Sequence, residues 1–285
     1  MQQTNPILTA TSSPAQRVRA AFEKARQDQR GMLLPYFMCG YPSASQSIEV
    51  VLAAVEAGAD LIELGLPFSD SLADGATIQH AGHQALERGM NMRGCLEIAR
   101  QVSARSSVPL LFMGSYNPLL AYGLEAFCRD AAASGVCGLI IPDLPPEEAT
   151  RLQEAAVASG LTLVFLIPPT TPDERIGQIV EHASTIAGSF IYCVSLSGVT
   201  GSTSKFEILP SLLARIYGYT KKHQLPVVVG FGITEPEHIS LVSSLADGSA
   251  VGTALVKLLD QHEEAEQVEA IRAYMHSLHE ATKRA

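Results

Sequence analysis

Basic residues are scarce in this chain: 20 Lys and Arg stand against 29 Asp and Glu in 285 residues, a formal net charge of −9. A protein that grips nucleic acid needs a basic face, so the balance argues against that class. Long apolar runs are missing as well. No uninterrupted stretch approaches the ~18 residues that suggest a membrane-spanning helix. The first sixteen residues (MQQTNPILTATSSPAQ) lack the apolar centre of a secretory signal. Cysteine is sparse, and Cys39, Cys95, Cys128, Cys137 and Cys193 form no CxxC pair. That excludes a disulfide scaffold and points to the cytoplasm. Cys137 and Cys193 lie in apolar runs, where cysteine serves as a small hydrophobe, and none of the five has an obvious activating neighbour.

What is present is an ordinary globular composition, with 47% apolar residues, which excludes a disordered chain. Residues 1–30 hold five basic and two acidic side chains, so the remainder is more acidic than the whole. An acid-poor, Ser-rich start before Arg17 and Arg19 faintly suggests an organelle transit peptide; a flexible tail over residues 1–14 is the better reading.

Short apolar runs alternate with amphipathic stretches almost from end to end. The runs are 33–38, 60–65, 109–114, 136–141, 161–167, 190–195, 226–231 and 248–252. Each is apolar on both sides of the pleat, as parallel strands buried on two faces require. Between them lie helical patterns such as 45–59, 123–135 and 146–160, several ending in Gly. Strand and helix repeated eight times predict a single α/β domain over 15–285, a (β/α)8 TIM barrel. A doubly wound two-domain protein is the alternative, but no linker divides the chain. The ~250 residues of a typical barrel leave a surplus of roughly 35. It falls into an extra N-terminal helix near 15–29, a long second βα connection over 66–108 and a C-terminal helix near 262–284.

The active site of such a barrel lies at the C-terminal ends of its strands. There Glu63 stands out, because it interrupts an otherwise core-like strand. A buried carboxylate costs several kcal/mol unless paired, and its pKa rises. A raised carboxyl is what a general acid/base at neutral pH requires. The competing reading is an internal ion pair, yet none of the first seven apolar runs contains Lys or Arg. Asp70 and Asp74 follow in PFSDSLADGAT; Asp74-Gly75 is also a plain turn signal. Asp143 ends the fourth strand and is either a mouth residue or a loop tether. Glycines gather after strands six, seven and eight, at Ser195–Gly201, Gly230-Phe231-Gly232 and Gly252-Thr253. They allow backbone N–H groups to approach an anion, and their agreement points to a phosphorylated ligand. GVTGSTSK lacks P-loop spacing, and the Gly230 segment lacks the third Gly of a dinucleotide fingerprint. His80/His83 and His276/His279 suggest no third ligand, so solvated helix faces are expected and no metal site.

The segments LIELGLPFSDSLADGATIQ (61–79), PYFMCGYPS (35–43), IIPDLPPEEA (140–149), YCVSLSGVTG (192–201), VVVGFGI (227–233) and VGTALVK (251–257) together resemble the tryptophan synthase alpha subunit family. The resemblance implies a (β/α)8 lyase that splits indole-3-glycerol phosphate into indole and glyceraldehyde 3-phosphate by a retro-aldol reaction. By the same resemblance Glu63 would be the acid/base and Asp74 would stabilise charge at the indole N–H. Tyr192 would lie near Glu63, and Thr200 would sit on a mobile sixth loop. Gly201, Phe231, Gly232, Gly252 and Thr253 would hold the phosphate. No cofactor is implied in this chain; pyridoxal phosphate would belong to a partner beta subunit, in an α2β2 heterotetramer. Ser71 and Ala76 stand where the family has Pro, Ser115 where Tyr is common, and Thr253 where Ser is usual. The two lost prolines imply a second loop less pre-ordered for partner contact. Two other functions stay open: a stand-alone lyase releasing free indole, and a non-catalytic activator of the beta subunit. Retention of Glu63 and Asp74 speaks against the latter. A phosphoribosyl-isomerase-like barrel would explain the glycines but not FSDSLADG.

Overall fold

A computed structural model describes residues 13–194, 204–230 and 232–284. Eight strands run in parallel: β1 (Met32–Met38), β2 (Ile62–Gly65), β3 (Leu110–Met113), β4 (Val136–Ile140), β5 (Thr162–Ile167), β6 (Ile191–Val194), β7 (Val227–Gly230) and β8 (Gly248–Val251). Each pairs with the next in sequence and β8 closes onto β1, giving the expected barrel. All eight apolar runs became strands, each within a residue or two of its expected bounds.

The double-sided apolarity of these runs has a direct physical reading. Leu33, Leu110, Phe112, Val227 and Val229 face outward into the layer shared with the helices. Their sequence neighbours Leu34, Leu111 and Val228 face inward and fill the barrel. A strand buried on both faces cannot alternate apolar with polar. Closure therefore leaves no room inside for a polar side chain except at a chosen position.

Twelve α-helices surround the barrel among the described residues. These are α1 (Pro14–Gln27), α2 (Ala44–Glu56), α3 (Ala76–Glu87), α4 (Met92–Arg105), α5 (Tyr116–Tyr122), α6 (Leu124–Ala133), α7 (Thr150–Ala158), α8 (Asp173–Ser184), α9 (Ser204–Thr220), α10 (Pro236–Leu245), α11 (Thr253–Gln261) and α12 (Glu264–Glu280). The three expected additions are all present: α1, the α3–α4 pair in the second connection, and α12. Residues 1–12 lie outside the described residues, so the tail reading is not addressed by the structure. α1 starts at Pro14 because Ser13 and Gln16 form a capping box that satisfies two orphan donors. Its Val18, Phe22 and Ala25 plug the N-terminal end of the barrel, with Phe22 and Phe190 ring centroids 5.3 Å apart. α12 packs on the outside against α2, where Arg272 pairs with Glu56 at 3.0 Å.

Two connections differ from expectation. The helix read from Pro146 begins as a three-residue 3-10 turn, Pro146–Glu148, and becomes α-helical only at Thr150. Such tight turns are frequent at helix starts, and here Glu147 leans away to pair with Arg175 on α8. The third connection also holds an extra short helix, α5. Its first N–H, that of Tyr116, donates to both Asp143 carboxylate oxygens at 3.0 and 3.2 Å, from a loop 27 residues away.

At the N-terminal end the Arg30 guanidinium donates to both oxygens of Asp60 at 2.6 Å, and Asp60 also accepts the Leu33 N–H at 3.0 Å. Both side chains are less than a tenth exposed. This fork joins the end of the α1 segment to the starts of β1 and β2. Removing one partner of a buried pair leaves an uncompensated charge. Asp60→Ala is therefore expected to lower unfolding free energy by about 3 kcal/mol or more in urea titrations.

Candidate active site

Glu63 lies in the middle of β2, between outward-facing Ile62 and Leu64, so its side chain points into the barrel. Register places it beside Tyr36 of β1 and Leu111 of β3. It is fully buried. The Tyr192 hydroxyl of β6 donates to Oε2 at 3.2 Å, while Oε1 has no hydrogen-bond partner among the described residues. None of the ion pairs found among the described residues includes it. Burial pushes its pKa up to about 8, only partly opposed by the Tyr192 hydrogen bond. At neutral pH it is mostly the neutral acid.

Two glycines make room for the tyrosines that frame it. A Cβ on Gly65 would lie 2.0 Å from the Tyr36 hydroxyl, and one on Gly230 would lie 2.7 Å from the Tyr192 ring. Neither position tolerates a side chain without displacing a ring.

Asp74 sits one residue before Gly75, which opens α3, and is partly buried. The Ser71 hydroxyl donates to its carboxylate. Burial raises its pKa, and the Ser71 hydrogen bond opposes that rise. The Gln79 amide donates to the Ser71 and Asp74 carbonyls at 2.9 and 3.1 Å. Ser71 thus supplies a hydrogen bond that a Pro at this position could not make.

Glu63 and Asp74 share one cavity of about 140 Å³. Tyr36 and Tyr192 flank the acids; Ile78, Met113, Ile233 and Ala250 form apolar walls; Gly230, Gly232, Gly252 and Thr253 close the far end. Gly232 has φ +68°, a left-handed turn that favours glycine. Gly252 and Thr253 begin α11, whose start carries no side-chain cap and no acid in its first turn. A helix start in that condition offers free N–H groups and a favourable dipole to an anion.

Of the residues singled out in the sequence, Glu63, Asp74, Tyr192, Gly232, Gly252 and Thr253 meet at this cavity. Thr200, Gly201 and Phe231 lie outside the described residues. Asp143 is the tether of α5, not a cavity residue, and Asp70 accepts from Ser69 on the exposed loop. His80 and His83 are exposed, and among the described residues no three His, Cys, Asp or Glu side chains could hold a metal ion. His279 is not on a solvated face: its ring is half-buried against Gly58. All five cysteines are buried and free, and burial pushes Cys128 and Cys193 up to about 12. Sequence reasoning missed Tyr36 and the apolar walls. Tyr36 was recoverable from strand parity, being two residues beyond the inward-facing Leu34.

A closed parallel barrel with a neutral buried acid at its C-terminal mouth, a second carboxylate above it and an open helix start opposite defines an acid/base enzyme for an anionic substrate. The family model described as tryptophan synthase alpha chain matches residues 22–283. A tryptophan synthase alpha chain of Chloroflexus aggregans is 46% identical over 94% of this chain and 98% of its own length. That of Roseiflexus sp. is 44% identical over 92% and 98%. The crystal structure of tryptophan synthase from M. tuberculosis in its aminoacrylate- and BRD0059-bound form has a chain with TM-score 0.84 and 32% identity, covering 94% of this chain and 99% of that one. The alpha chain from Legionella pneumophila superposes with TM-score 0.81 at 34% identity, over 93% and 97%. The chain belongs to the tryptophan synthase alpha chain family, carbon–carbon lyases of the indole-glycerol-phosphate aldolase reaction.

The raised pKa of Glu63 has a stability consequence. Between the ordinary carboxyl value of 4.5 and about 8, the folded chain keeps a proton that the unfolded chain has released. Stability attributable to this group is thus full below pH 4.5 and falls as pH rises through that window. Glu63→Gln removes the loss. Thermal unfolding from pH 5 to 9 is expected to show the variant gaining on the native chain, by of order a few kcal/mol at the alkaline end.

Proposed function

We propose that Glu63 is the proton carrier of the retro-aldol cleavage of indole-3-glycerol phosphate, with Asp74 at the indole N–H. The observation that carries this reading is a buried carboxyl with a pKa about 8 and no ion-pair partner among the described residues, in one cavity with a second carboxylate. Cleavage breaks the bond between indole C3 and the glycerol chain, so C3 must gain a proton. The adjacent glycerol hydroxyl loses one as it becomes the aldehyde of glyceraldehyde 3-phosphate. One proton is gained and one lost, so a single carboxyl that gives and takes returns to its starting state.

Protonation at C3 places positive charge on the indole ring, and an ionised Asp74 accepting the ring N–H offsets it. The Ser71 hydrogen bond favours that ionised form. Tyr192 holds one oxygen of Glu63, and the other, without a partner among the described residues, is available to substrate. The phosphate is assigned to the amides of Gly232, Gly252 and Thr253, with Gly201, Phe231 and Thr200 contributing by family resemblance. Ile78, Met113 and Ile233 suit the apolar faces of an indole.

Membership of the family implies a beta-subunit partner. We assign this chain to an α2β2 assembly in the cytoplasm, with pyridoxal phosphate in the partner and no cofactor here. No helix among the described residues is long and apolar enough to cross a membrane. Support for the partner comes from the loop that carries Asp74, where Leu72 is 93% exposed. An apolar groove formed by Phe68, Leu86, Met90 and Met92 adjoins it. Exposed apolar surface of this kind marks interaction sites.

Glu63→Gln is expected to cut indole release by roughly 10²–10⁴-fold, the usual weight of general acid/base catalysis. Substantial residual turnover would reassign the proton carrier. Ser71→Ala is expected to move the acid limb of the kcat/KM profile to higher pH and to reduce turnover several-fold at pH 6. Indole release measured with and without the cognate beta subunit separates the complex from a stand-alone lyase. High turnover unchanged by beta would favour the latter.

A further inference from the structure

A second concavity opens at the other end of the barrel from Glu63. Its volume is about 620 Å³, which falls in the range of small-molecule sites. α1, the segment joining α8 to β6, and the end of α9 with its following turn form its sides. Phe22, Ile186 and Leu225 give it a buried apolar floor. The rim is cationic, with Arg19, Arg26, Arg30, Lys221 and Arg284 against only Glu23 and Asp247. That sign is opposite to the −9 of the chain.

Structural pairing accounts for two of these five cations. Arg19 pairs with Glu23 at 2.9 Å and Arg30 with Asp60 at 2.6 Å. Asp247 is also engaged, accepting from the Tyr217 hydroxyl at 3.0 Å and the Val227 N–H at 2.9 Å. Arg26, Lys221 and Arg284 remain, with no carboxylate within 4.0 Å among the described residues. Arg284 is anchored at the rim, donating at 2.8 Å to the carbonyls of Ser243 and Ala246. The three come from three separate parts of the chain. Helix dipoles rationalise a cation at the end of α1 or α9 one at a time, but not their convergence with Arg284 on one apolar-floored hollow.

We propose that this hollow binds a small organic phosphate monoester, separate from the cavity that holds Glu63. Its doubly charged head lies among Arg26, Lys221 and Arg284, and its apolar body rests on Phe22, Ile186 and Leu225. Three leftover cations match a dianion better than a single carboxylate, and the floor selects for an ester over free phosphate.

The test is a backbone-amide NMR titration of the full chain with phenyl phosphate, and separately with inorganic phosphate. Two saturable sets of shifts are expected, one around Gly252 and Thr253 and one around Arg26, Ile186, Lys221 and Gln224. In the second set phenyl phosphate binds several-fold tighter than inorganic phosphate. The double variant Arg26→Glu with Lys221→Glu weakens that set by about ten-fold or more and leaves indole release unchanged. Arg26→Gln with Lys221→Gln gives an intermediate loss, which guards against misfolding of the charge reversal. Shifts confined to Gly252 and Thr253 would overturn the site, as would unchanged affinity in both double variants. Equal binding of the two probes would overturn the role of the floor.

Discussion

The structure turns on one carboxyl group held inside a closed apolar barrel. Burying Glu63 with no ion-pair partner among the described residues costs folding free energy, and the protein meets that cost by keeping the group neutral. Everything around it serves this state. Closure of eight strands buries the carboxyl, the Tyr192 hydroxyl satisfies one oxygen, and Gly65 and Gly230 give the flanking tyrosines their space. An Arg or Lys beside Glu63 would stabilise its ionised form and drive the pKa back down.

The two ends of the barrel solve opposite problems. At the N-terminal end, stability dominates: α1 plugs the opening with Phe22, and the Arg30–Asp60 fork ties the chain start to two strands. At the C-terminal end the walls stay open and polar groups converge on a cavity. Asp60 and Glu63 stand three residues apart in one segment yet have opposite fates. Asp60 is paired with Arg30 at the base; Glu63 has no ion-pair partner among the described residues, and burial raises its pKa. Sequence proximity says nothing of this difference, because only the strand's passage through the barrel separates the two environments.

Much of the fold was legible because the signals were periodic and local. Eight runs apolar on both faces demand burial on both faces, and a parallel barrel is the economical way to provide it. Helix stops at glycines were readable for the same reason. Elements made by distant groups were not. α5 depends on a carboxylate 27 residues downstream, and the 3-10 start at Pro146 accompanies a pairing with Arg175 on another helix. Asp143 could be read either way until its contact with Tyr116 was visible. In the site, Glu63 announced itself as a charge in an apolar strand. Tyr36 did not, since an aromatic residue in a core strand is unremarkable until register sets it beside Glu63.

The sequence by itself determined the barrel and the family and singled out Glu63 as a carboxyl in an apolar strand, because each rests on pattern along the chain. Tertiary structure alone decided what the acid is. Its bond to Tyr192 and its shared cavity with Asp74 depend on residues far apart in the chain, Tyr192 lying 129 positions from Glu63. A pKa is a property of surroundings, and surroundings exist only once the chain has closed on itself.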